Sequence, residues 1–138
     1  MRITQESDYA LRILTALATE AGVVDAKTLS AKTSVTQRFT LKILNKLVGD
    51  GIVSSYKGAK GGYKLRALPE QITLRRVIEL IDGPIVLARC LGESEECSLN
   101  QDKGNCIYHH IFERISLEVA GKLGRITIAD VIARRFSL

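Results

Sequence analysis

Residues 25–51 read DAKTLSAKTSVTQRFTLKILNKLVGDG, and this stretch decides the fold. Asp25 suits a helix N-cap, and the short helix behind it should turn Leu29 and Ala31 inward. Ser34 and Val35 make a tight turn. Thr36 then caps a third helix carrying Phe39, Leu41, Ile43, Leu44 and Leu47, which closes at Gly51 after Asp50. Two helices joined by about three or four residues, the second longer, form a helix-turn-helix.

Outward from this motif, Ile52–Tyr56 reads as a strand, 57–62 as a turn, and Tyr63–Arg66 as a returning strand. Gly58, Gly61 and Gly62 permit a sharp reversal and close backbone approach. A hairpin directly after a helix-turn-helix is a wing. On the other side, Thr4 caps a helix reaching Ala21, with Tyr9, Ala10, Ile13, Leu14, Leu17 and Ala18 on one face and Gly22 ending it. Glu6 and Asp8 suit its positive end.

Pro69 breaks the chain. Thr73 opens a helix through Leu74, Val77, Ile78 and Ile81 that stops at Gly83 and Pro84. Residues 90–106 hold all three cysteines, two glycines and four acids, too few apolar groups to fold alone. A long helix over 107–123 follows, with Ile107, Ile111, Phe112, Ile115, Val119 and Leu123 on one stripe that a symmetry mate would bury. Thr127 and Asp130 form a variant capping box for a last short helix. The expected architecture is mainly α with a small β-hairpin: a winged helix-turn-helix over 1–83, a cysteine-bearing loop over 84–106, and a dimerisation helix with a C-terminal helix over 107–138.

The chain has 138 residues and a formal net charge of +5. That total conceals an asymmetry, since residues 26–66 contain nine Lys or Arg and one acid, Asp50. Such a segment is a solvated face or a nucleic-acid surface. In a helix-turn-helix the second helix enters the major groove with its first turns. Here those turns present Thr36, Gln37, Arg38, Thr40 and Lys42, side chains suited to base edges, thymine methyls and phosphates. Lys57 and Lys60, with Gly61 and Tyr63 beside them, are the wing's candidates for a phosphate or minor-groove contact. No apolar run approaches a transmembrane span, and the first residues carry acids where a secretory signal would be apolar. A cytoplasmic protein without disulfides is therefore expected.

Cys90, Cys97 and Cys106 are spaced C-x6-C-x8-C, and His109 and His110 follow. Three readings are open: unligated thiols with a redox role, a structural Cys3His zinc, or an iron–sulfur cluster, since soft thiolates select these metals. Either histidine could ligate. A Cys–His catalytic pair lacks a third orienting group, so an enzyme is not expected.

Several motifs recur together: Met1-Arg-Ile-Thr with Asp8-Tyr-Ala-Leu, Gly51-Ile-Val-Ser-Ser, and Gly58-x-x-Gly-Gly-Tyr63. Ile72-Thr-Leu with Val77-Ile and Gly83, the three cysteines, and Ile126-Thr-Ile-Ala-Asp130 complete the set. In this order the chain resembles the winged-helix bacterial regulator family that includes IscR, NsrR, RirA and CymR. The resemblance implies a homodimeric transcription regulator, repressor or activator, on a palindromic DNA operator. It also implies an iron–sulfur cluster on Cys90, Cys97 and Cys106 that senses iron, cluster or redox status. The fourth ligand would be His109, as in IscR-like proteins, or Asp8 of the partner subunit, as in NsrR-like ones. The expectation favours 2Fe–2S with His109 and leaves 4Fe–4S open.

Two departures stand out. The cysteine spacing exceeds the x5, x5 pattern of IscR and NsrR, and Leu41-Lys42 stands where IscR-like helices carry Glu-Gln. CymR-like relatives lack the cysteines and act through a protein partner, so a cluster-free thiol sensor and a partner-dependent regulator are the alternatives.

Overall fold

In the computed structural model, which describes residues 2–92, 97 and 102–135, the chain runs α1 (Gln5–Ala18), α2 (Ala26–Thr33), α3 (Gln37–Gly49), β1 (Val53–Tyr56) and β2 (Gly62–Leu65). It continues through α4 (Leu74–Asp82), α5 (Ile107–Arg125) and α6 (Ile128–Ala133), with short 3-10 turns at Pro69–Gln71, Arg89–Leu91 and Lys103–Asn105. Local side-chain chemistry sets the helix starts. Thr4, Asp25, Thr36 and Thr73 each accept from the amide three residues on, at 2.9–3.4 Å. Thr127 and Asp130 close a reciprocal capping box at 3.1 and 2.9 Å. Each cap is worth about 1 kcal/mol.

The main core lies between α1, which packs on α2, α3, α4, α6 and β2, and its neighbours. Ile13, Leu14, Leu29, Ile43, Leu44, Leu47, Ile52, Ile72, Val77 and Ile128 are fully buried there. Ile128 comes from the far end of the chain. Leu74 N donates to Ile126 O and Ile128 N to Ile72 O, both at 2.9 Å, so α6 returns to the helix-turn-helix body. By packing α6 belongs with that body, although it follows the long helix in sequence.

The wing pairs β1 with β2 antiparallel, Val53 opposite Leu65 and Tyr56 opposite Gly62. Tyr63 exchanges both backbone hydrogen bonds with Val24, at 2.8 and 2.9 Å, which ties the wing to the α1–α2 connection. Glycine is required at two points of this fold. A Cβ at Gly62, where φ is +153°, would lie 2.4 Å from Val24 O, and one at Gly61 would lie 2.3 Å from Tyr56 O.

Three expectations need correction. α1 ends at Ala18, three residues before the expected Ala21, because Thr19 caps it. Ala31 is exposed rather than inward. Thr40, assigned to the outer face, is fully buried, while Phe39 and Leu41, among the apolar residues of the same helix, are 43% and 38% exposed. The reason is helical phase. Positions 39, 41 and 43 have a period of two, which no helix face can collect, while 40, 43, 44 and 47 form one stripe. The stripe buries Thr40 in spite of its hydroxyl, which has no hydrogen-bond partner among the described residues.

Candidate nucleic-acid interface and cysteine segment

The outer face of α3 carries Gln37, Arg38, Leu41, Lys42 and Asn45, all exposed, and Thr36 is exposed at its cap. Lys42 and Lys46 reach back to Glu6 at the start of α1, at 2.9 and 2.7 Å. Hydrogen bonds from Lys46 and then Lys42 hold the Glu6 carboxyl below its ordinary range, against the smaller opposing effect of burial. This carboxylate braces α3 against α1. Phe39 meets Tyr9 edge-on at 6.2 Å, while Lys42 stands over Phe39 and Arg12 over Tyr9 at 5.8 and 5.5 Å.

Among the described residues Arg38, Lys57, Lys60, Lys64 and Arg66 have no salt-bridge partner, and all are exposed. The helix tip and the wing therefore hold cations not neutralised within the chain. Tyr63 differs from its neighbours on the wing: it is half-buried against the core and fixed to Val24. Sequence reasoning missed the Glu6 brace, because a contact between positions 6 and 42 has no local signature.

The cysteine segment lies at the base of α5. Cys90 sits in the Arg89–Leu91 turn and Cys106 immediately precedes α5. All three thiols are free and half-buried. Residues 93–96 and 98–101, including the expected loop acids Glu93, Glu95 and Glu96, lie outside the described residues. Asp8, the alternative fourth ligand, is half-exposed and paired with Arg12 at 2.6 Å. His109 is half-buried, and its Nδ1 is buried with no hydrogen-bond partner among the described residues. His110 Nε2 donates to Gly104 O at 2.8 Å. Among the described residues the metal-type donors gathered within 4.8 Å of one another are those of His109, His110 and Glu113; no such group contains the cysteines. Sequence reading singled out the two histidines and passed over Glu113, whose spacing one turn beyond them was the available signal.

α5 is anchored on one side only. Ser116 and Ala120 are buried, Leu87 N donates to Ser116 Oγ at 3.0 Å, and Ile78, Ile85 and Ala120 form a small second cluster. The other side leaves Ile107, Tyr108, Ile111, Phe112 and Ile115 exposed, Ile107 at 65%, and Leu117 is exposed on a flank of the helix. α4 links α5 to the reading helix, since Arg76 donates to the Asp50 carboxylate at the end of α3, at 2.9 and 3.1 Å. No helix among the described residues is long and apolar enough to cross a membrane.

Residues 3–134 match the Rrf2 family, described as iron-dependent transcriptional regulators. The chain is 28% identical over 134 residues to the transcriptional regulator IscR of Serratia proteamaculans, a match covering 96% of this chain and 79% of that protein. Among solved structures it is similar to the global cysteine regulator CymR of B. subtilis, with a TM-score of 0.78 and 24% identity over 97% of this chain and 98% of that one. T. potens IscR gives a TM-score of 0.76 at 21% identity over 97% and 88%. At these identities the two structures establish the fold alone, a winged helix, which agrees with the mainly α architecture and its hairpin. The relatives are regulators rather than enzymes. With the family match spanning nearly its whole length, this chain belongs to the Rrf2 family of transcriptional regulators.

Proposed function

We propose that this regulator binds a palindromic operator as a homodimer and senses iron, cluster or redox status through an iron–sulfur cluster on Cys90, Cys97 and Cys106. The observation that carries the DNA reading is the set of unneutralised cations on the tip of α3 and on the wing. Arg38, with Gln37, Thr36 and Lys42, reads the major groove; Lys57, Lys60 and Gly61 take the adjacent backbone. Two assignments change with the fold: Thr40 supports α3 from the core, and Tyr63 positions the wing. The exposed apolar side of α5 supports the dimer, since a second copy of the same stripe covers it.

The donor chemistry at the base of α5 fits the cluster. Three free thiols and an imidazole with an orphaned buried nitrogen make a soft set with four positions. His109 is the favoured fourth ligand and 2Fe–2S the favoured type, because Asp8 is already paired with Arg12. When bound, such a cluster supplies an iron centre whose occupancy or oxidation state varies with the cell's condition. The protein's part is to hold it at the start of α5 and to pass the ordering of that segment through α4 and Arg76 to the end of α3. A coupling of about 1–3 kcal/mol is the usual size of such a linkage.

The test is anaerobic purification with iron, sulfide and absorption measurements, followed by operator binding of cluster-loaded and cluster-free protein. Iron and sulfide in equal amounts, with a five-fold or greater change in affinity on cluster loss, is the expected result. A colourless protein whose affinity instead follows thiol oxidation overturns the cluster in favour of a thiol sensor.

A further inference from the structure

The first turns of α5 gather a donor set that differs from the cysteine set. His109 and Glu113 are four residues apart and His110 and Glu113 three, so the carboxylate lies over both imidazoles on one helical face. Their ligand atoms all lie within 4.8 Å of one another, and the two rings stand edge to face at 5.9 Å. Each donor is available. A carbonyl only accepts, so the bond from His110 Nε2 to Gly104 O fixes the tautomer that leaves the Nδ1 lone pair free. Backbone carbonyls commonly set a metal-binding histidine in this way. His109 carries a buried nitrogen without a partner, and Glu113 has no hydrogen bond or salt bridge among the described residues.

We propose that His109, His110 and Glu113 form a mononuclear site for a borderline divalent transition-metal ion, with zinc the natural probe. Two imidazoles and a carboxylate suit zinc, cobalt or nickel, whereas calcium and magnesium require oxygen-rich shells. Donors on a tetrahedral ion with bonds of about 2.0–2.1 Å lie roughly 3.3 Å apart. Rotation of the exposed Glu113 side chain brings its carboxylate to the imidazoles while His110 keeps its bond to Gly104 O, and water completes the shell. Through His110 and Gly104 an ion here joins the start of α5 to the Lys103–Asn105 turn. His109 is common to this site and to the proposed cluster, so the two occupancies exclude each other. The ion belongs to the cluster-free protein. This inference does not depend on a cluster ever forming.

The test titrates zinc, and cobalt for its visible spectrum, into full-length protein in which Cys90, Cys97 and Cys106 are all serine. The same titration is run on cluster-free parent protein with alkylated thiols, which guards against a folding defect of the serine variant. One ion per chain in both, weakened about tenfold or more by Glu113→Gln and by His110→Ala with unchanged helix content, is the expected result. Saturable binding that both substitutions leave intact, or no binding in either thiol-free protein, overturns the site. Neither outcome touches the iron and sulfide measurement on which the cluster reading stands.

Discussion

The helix-turn-helix body and α5 are built from similar amounts of apolar sequence and spend it differently. In the body, α1, α2, α3, α4 and α6 bury their stripes against one another, and Leu14, Leu44 and Ile128 have no exposure. α5 buries only Ser116 and Ala120 and leaves isoleucines 107, 111 and 115 open to solvent. One region therefore meets its folding requirement within the chain. The other leaves its apolar side uncovered within the chain, and in the proposed dimer a second copy covers it.

The sharpest way to break this comparison is to insert charge or a cavity in each region. Leu44→Ala should cost about 2–5 kcal/mol by thermal or denaturant unfolding, because a buried leucine in a closed core leaves a cavity. Ile111→Asp combined with Ile115→Asp should leave far-UV helix content intact while sedimentation moves from dimer to monomer mass. A dimer that survives both charges would place the interface elsewhere.

Within the body, the proposed DNA face divides into reading and holding. Arg38→Ala should lose about 1–3 kcal/mol of discrimination between operator and mutated operator, measured by competition binding. Lys60→Ala should weaken all sequences alike and reduce the log–log salt slope by about 0.9. Equal salt slopes for parent and Lys60→Ala would remove the wing from the phosphates.

Thr40 gives a smaller and opposite effect. Its buried hydroxyl has no partner, so Thr40→Val should stabilise the fold by about 1 kcal/mol and leave operator affinity unchanged. Weaker DNA binding by this variant would return Thr40 to the outer face.

The smallest expected effect concerns pH. Glu6 titrates below its ordinary 4.5 because Lys46 and Lys42 bind its charged form. A depressed carboxyl contributes stability above its unfolded value and loses it as pH falls through its folded value. Glu6→Gln should accordingly flatten the acid limb of the stability curve by about 0.2–1 kcal/mol, since both lysines remain partly in water.

Much of this was legible in the sequence, and the legible parts are those governed by neighbouring residues. Thr4, Asp25, Thr36, Thr73 and Thr127 act on amides within three positions, so their helices start where the residue types indicate. The wing followed from Gly58, Gly61 and Gly62 between two short strand-like runs, and the structure adds that Gly61 and Gly62 lie against Tyr56 and Val24. The concentration of cations over 26–66 and the order of the motifs were likewise visible without coordinates, and with them the family.

Tertiary structure decided what depends on distant segments. Which side of α3 faces inward was settled by α1 and β1, and this moved Thr40 from the outer face to the core. The return of α6 to the core through Ile128, the Glu6 brace on Lys42 and Lys46, and the Arg76–Asp50 link join positions 26 to 56 residues or more apart. Periodicity records that a helix has an apolar face. Only the packed neighbours, competing for a closed volume, determine which side chains occupy it and which donors are left together at its end.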